Sequence, residues 1–133
     1  MSASGTVEVG HRTGDLFEIS VRDHLLLVDQ PVADGGSDEA PTPTELFVAS
    51  LAGCVAFYAR RYLARHGIDP AGFSVSADFT MEQRPARVGA VRLSVAVPAG
   101  IPDDRRDAFL AVVGHCTVHN SLQQPPAVHI DVL

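Results

Sequence analysis

The chain has 133 residues, with 16 acidic against 10 basic side chains and a net charge of −6. That length fits one domain, 1–133, which can bury a core without a disulfide, and the charge argues against nucleic acid as the main partner. All ten basic residues are arginine, so lysine Schiff-base chemistry is excluded and any fixed cation beside a reactive group is Arg or His.

Three short strands are expected first. Thr6–Val9 alternates weakly and Thr13-Gly14-Asp15 supplies a turn. Leu16–Val21 alternates more clearly, Arg22-Asp23 makes a tight connection, and His24–Asp29 is rich in Leu and Val. Residues 31–43 form a loop centred on Gly35-Gly36. Then the period changes. Thr42 as N-cap, Pro43 in the first helical position and Glu45 three residues after the cap predict a helix. It runs to about His66, is closed by Gly67 and Pro70, and measures about 36 Å. Its first half is apolar nearly all round, so it must be covered on every side. One chain of this size covers it poorly, and Ala49, Ser50, Ala52 and Gly53 would admit a second backbone. A sheet and a partner subunit are expected over it.

A hairpin follows, Phe73–Phe79 against Val88–Val97, then a helix from Pro102 to about Val113. Gly114 stops that helix, Thr117–Leu122 forms a further helical turn, and Val128–Leu133 reads as a final strand. The fold class is therefore α+β, with antiparallel sheets around a long central helix. No basic-then-apolar leader opens the chain, and the apolar run Leu46–Tyr58 is too short for a membrane span. A cytoplasmic location and no membrane partner are expected. In that reducing compartment, two cysteines are thiols, ligands or redox groups before they are a staple.

Those two are Cys54, inside the apolar helix beside Gly53, and Cys116, just past a helix end. Each has a plain reading, as a small buried residue or as a small residue at a tight corner. Each also has a reactive one, since backbone N–H groups at a turn favour a thiolate. His115 and His119 flank Cys116 and are either partners or surface. Cys54, His115, Cys116 and His119 carry zinc-type donors, but their spacing is poor and no C-x-x-C is present, so neither metal nor cofactor is expected. No hydrolase context, phosphate loop or dinucleotide fingerprint surrounds them.

The segment from Pro41 to Cys54, P-T-P-T-E-L-F-V-A-S-L-A-G-C, resembles the first cysteine signature of the OsmC/Ohr family of osmotically inducible and organic hydroperoxide resistance proteins. Cys116–Leu122 is similar to that family's second cysteine motif. Val28–Pro31 followed by Gly35-Gly36 resembles its OsmC-like branch. The resemblance covers nearly the whole chain. It implies an intertwined homodimer with two long helices at its centre and the cysteines near the interface. It further implies thiol-dependent reduction of an organic hydroperoxide, with Cys54 attacking, Cys116 resolving and a dithiol reductant regenerating both. An Arg from the N-terminal strands and a Glu early in the long helix would activate Cys54; here Arg12, Arg22 and Glu45 are the candidates. Two departures stand out. The family's hydroperoxidases carry the acid ten residues before the cysteine, where this chain has Thr44; Glu45 is turned about 100° around the helix. Thr117 stands where proline is common. The alternative is an OsmC-like small-molecule-binding or thiol-sensing protein without efficient turnover.

Overall fold

The structure, a computed structural model, describes residues 4–133. It consists of two compact units, residues up to Phe47 and Val48–Leu133, each taken by itself below.

The first unit is an antiparallel meander of β1 (Glu8–Thr13), β2 (Leu16–Val21) and β3 (His24–Val28), in the order β1-β2-β3. The expected turns fall where Gly14 and Arg22 adopt positive φ, 55° and 53°. The first strand begins at Glu8 rather than Thr6 and runs through His11 and Arg12. After β3 the chain folds over Asp29, which is buried to 1 % exposure. Its carboxylate accepts the backbone N–H of Gln30 at 2.7 Å and of Glu39 at 3.1 Å. These bonds hold the ionised form, so the Asp29 pKa lies below the ordinary carboxylate value, the Glu39 bond contributing most. Within this loop a Cβ on Gly36 would come 2.0 Å from the Gln30 carbonyl oxygen, so only glycine fits. The capping box that opens the long helix is formed as expected. Glu45 N–H donates to Thr42 Oγ1 at 3.0 Å and Thr42 N–H donates to Glu45 Oε1 at 2.9 Å.

That helix, α1 (Pro43–Arg65), supplies the core of the second unit through Leu51, Val55, Ala59, Tyr62 and Leu63. Gly67 closes it at φ 64°, with Ile68 N–H donating to the Leu63 carbonyl at 2.9 Å. By length and composition α1 reaches what a bilayer crossing requires, which the apolar run alone did not suggest. Against the α1 core pack β4 (Ser74–Glu82) and β5 (Arg87–Ala96), an antiparallel pair. Val75, Val91, Leu93 and Val95 alternate inward, as their period of two requires. The second expected helix is divided: a 3-10 turn, Asp103–Arg105, leads into α2 (Arg106–Val113). Phe109 and Val113 of α2 join the core. The helical turn after Cys116 is α3 (Thr117–Gln123).

The expected strand over Val128–Leu133 does not form. The segment has no ladder partner among the described residues, and Val128, Ile130 and Val132 are 75 %, 89 % and 98 % exposed. Alternating apolar residues give strand propensity, but a strand exists only where another strand takes up its N–H and C=O groups.

Candidate functional site

Cys54 and Cys116 are distant in sequence and meet in the second unit, their thiols within hydrogen-bonding reach. The meeting follows from local structure. Cys54 lies one helical position before the buried Val55, so it packs half-buried at the edge of the α1 core. After α2 the chain turns at Gly114 and reaches Cys116 in extended geometry, φ −71° and ψ 157°. This is the N-cap of α3, and Cys116 caps with sulfur: its Sγ accepts the His119 backbone N–H at 3.4 Å. Cys116 is fully buried.

The two thiols are not equivalent. Burial is the largest influence and pushes the Cys116 pKa up; the His119 backbone N–H comes next and opposes it, the neighbouring Cys54 raises the pKa further as hydrogen-bond partner and as charge, and the Val118 backbone N–H lowers it least. Cys116 is thus the thiol that keeps its proton, while Cys54 is the less buried of the pair.

A further contact ties the two cysteine-bearing segments together. The Tyr58 hydroxyl, one turn after Cys54, lies 3.1 Å from Thr117 Oγ1, one residue after Cys116. Thr117, where the resembled family often has proline, is therefore a hydrogen-bonding residue here. Sequence reasoning missed Tyr58, although its i+4 spacing from Cys54 places both on one helix face.

His115 and His119 do not share a helix. His115 precedes α3 and its Nδ1–H donates to the Ala111 carbonyl at 2.6 Å, whereas His119 lies within α3. Among the described residues no three His, Cys, Asp or Glu side chains converge as a metal site would require. A cavity of about 610 Å³ in the same unit is lined by Val55, the residue after Cys54, and by His119, whose backbone N–H is bonded to Cys116, but by neither cysteine. Its walls are apolar, and Arg106 and His119 are its only polar side chains.

The other expected site residues belong to the first unit. Arg12 Nε donates to Glu18 at 2.6 Å, an exposed ion pair along the β1–β2 ladder. Arg22 is exposed at the β2–β3 turn. Glu45 is engaged by Thr42. Among the described residues no guanidinium is hydrogen-bonded to either sulfur.

No curated protein matches. Solved structures do. A Psychrobacter arcticus 273-4 protein, provisionally described as an osmotic stress induced and detoxification response protein, superposes with a TM-score of 0.81 at 24 % identity, covering 91 % of this chain and 90 % of that one. An organic hydroperoxide resistance protein OsmC from Legionella pneumophila gives 0.62 at 21 % identity, covering 92 % of each chain. An OsmC-like protein from Mycoplasma pneumoniae gives 0.76 at 14 %, covering 94 % of this chain and 91 % of that one. At these identities the likeness is one of fold: α+β, with a long helix and antiparallel sheets. The OsmC-like protein family model matches residues 36–131, a span that includes both cysteines and the whole of α1. The chain belongs to the OsmC-like protein family.

Proposed function

We propose that this protein is a thiol-dependent peroxidase that reduces organic hydroperoxides through Cys54 and Cys116. The observation that carries the reading is the pairing of its only two cysteines, thiol against thiol, with one of them held protonated. Family membership supports it, since relatives such as the Legionella pneumophila protein are named for organic hydroperoxide resistance.

The chemistry follows from the asymmetry. The Cys54 thiolate attacks the outer peroxide oxygen; the S–O bond forms as the O–O bond breaks, leaving a Cys54 sulfenic acid and, with one proton, an alcohol. The Cys116 sulfur then displaces hydroxide from the sulfenic acid, giving a disulfide and water. A dithiol reductant takes the disulfide back to two thiols. Cys116 suits the second role because its burial and protonation keep it out of the first.

The reading includes a homodimer in the cytoplasm. Two features of the second unit support association. The α1 face around Ala49, Ser50, Gly53 and Phe57 is exposed, and so are the apolar side chains of Val128, Ile130 and Val132.

The deciding experiment is a free-thiol count before and after one equivalent of cumene hydroperoxide, on wild type and on Cys116→Ser. Rapid loss of two thiols in wild type, with the variant stopping at a sulfenic acid on Cys54, is the expected result. Thiol loss only over hours would overturn the reading. It would favour a small-molecule-binding or thiol-sensing role, to which the engagement of Glu45 in its capping box also points.

A further inference from the structure

The Cys116 thiol carries one proton, and its surroundings decide where that proton points. The sulfur accepts the His119 backbone N–H at 3.4 Å, so the proton cannot lie along that contact. Cys116 has no exposed surface, so bulk water does not take the proton either. The neighbouring thiol is that of Cys54, which packs half-buried against the cluster containing Cys116. A contact outside the sulfurs pins the pairing: the Tyr58 hydroxyl, four residues after Cys54, lies 3.1 Å from Oγ1 of Thr117, the residue after Cys116.

A thiolate at Cys54 needs a donor, and the other donors are engaged or distant. Cys54 stands in mid-α1, well beyond the first turn, where a helix N-terminus favours an anion. The Tyr58 hydroxyl, on the same helix face, is held by Thr117. The guanidinium groups of Arg12, Arg87 and Arg105 are bonded to Glu18, to turn carbonyls and to His66. We infer that Cys116 donates its S–H to the Cys54 sulfur and stabilises the Cys54 thiolate, so that the buried cysteine serves the first oxidation as a hydrogen-bond donor before it serves the second as a nucleophile. Cys54 raises the Cys116 pKa both as hydrogen-bond partner and as charge, the direction expected of a proton kept on Cys116 and shared with an anion beside it. An S–H is a weak donor, but a hydrogen bond to an ionised partner is about twice as strong as a neutral one, and more so away from water. The role is the one that the resemblance gives to Arg12, Arg22 and Glu45. The inference deepens the peroxidase reading, on which its catalytic use rests; the hydrogen bond itself belongs to the reduced pair and is tested without peroxide.

The test compares Cys116→Ser, which keeps a donor, with Cys116→Ala, which removes it. The fully reduced proteins are alkylated with iodoacetamide across pH, and modification of the Cys54 peptide is followed by mass spectrometry. Cys116→Ala should alkylate Cys54 about tenfold more slowly than wild type at neutral pH, its profile displaced about one pH unit to the alkaline side. Cys116→Ser should stay within about threefold of wild type, because a hydroxyl restores the donor. Wild type supplies a readout free of variants: its ultraviolet thiolate absorbance should rise in two separated steps of one thiol each, since a shared proton splits the titration of the pair. Equal alkylation of Cys54 in wild type and Cys116→Ala, a serine variant as slow as the alanine one, or a single step of two thiols would each overturn the inference. Hydroperoxide turnover separates it from the reading beneath it. If the serine–alanine contrast holds and no hydroperoxide is reduced, the peroxidase reading fails and the hydrogen-bonded pair stands. If hydroperoxide is reduced without that contrast, the peroxidase reading stands and Cys116 acts in the second step alone.

Discussion

Tyr58 and Thr117 are joined by one hydroxyl–hydroxyl contact, yet that contact bridges the two segments whose sulfurs must meet. Its loss should cost little stability, about 0.5–1.5 kcal/mol for one hydrogen bond. It should matter more for geometry, because disulfide formation requires Cα atoms within about 7 Å and correct side-chain direction. Tyr58→Phe and Thr117→Val are each expected to slow the closing of the Cys54–Cys116 disulfide while leaving the first oxidation of Cys54 intact. The double variant should do no worse than either single one, since both remove the same bond. Stopped-flow detection of sulfenic acid against disulfide checks this; additive effects would show that the two residues act separately. The bond was not legible in sequence, and the meeting of the sulfurs was implied only by the family resemblance, not by spacing. Chain spacing gives the face of one helix, but which distant residue meets that face is decided by tertiary packing.

The Cys116 thiol gives a second consequence at the same scale. Its folded pKa is raised, chiefly by burial, so the folded state holds a proton that the unfolded chain releases near pH 8.5. The stabilisation is complete below that value and is lost as pH rises through the raised folded value. Melting temperature under reductant should therefore fall between pH 8 and 10 more steeply in wild type than in Cys116→Ala, even though the variant is less stable overall. Parallel slopes would contradict a raised Cys116.

At the scale of elements, the parts that formed as read from sequence are those specified locally. Thr42, Pro43 and Glu45 specify the start of α1 through bonds made within one turn, and Gly67 specifies its end. The hairpins follow the period-two alternation of Leu16–Val21 and Val91–Val97. Val128–Leu133 has the same alternation and no ladder, because strand pairing is not a local property. The loop after β3 shows the converse: an unpromising run of Gly, Asp and Ser is ordered by one buried carboxylate. Asp29 has a folded pKa below its unfolded value, so its contribution is present above the unfolded value, about 3.9, and is lost as pH falls through the folded one. Asp29→Asn should lower the melting temperature at pH 7 and flatten its decline between pH 5 and 3. Thermal melts across that range test it; an unchanged acid limb would assign the acid sensitivity to another carboxylate.

For the whole molecule, the question is what covers α1 outside the unit it already serves. Gly53 decides between two answers. A Cβ built there meets nothing within 4 Å in this chain, and the residue is exposed in mid-helix. In a monomer, Gly53→Ala should therefore stabilise by about 0.5–1 kcal/mol, because glycine costs backbone entropy that alanine does not. In the proposed homodimer, Gly53 lies on the face where a second α1 would approach, and close helix contact is what small residues permit. The added methyl would then fall between two backbones, twice per dimer. Gly53→Ala is expected to weaken association, moving the sedimentation equilibrium toward monomer and making the melting temperature depend more strongly on protein concentration. A variant that simply melts higher, with unchanged association, would place the partner surface elsewhere and leave the exposed Val128, Ile130 and Val132 as the stronger candidate for it.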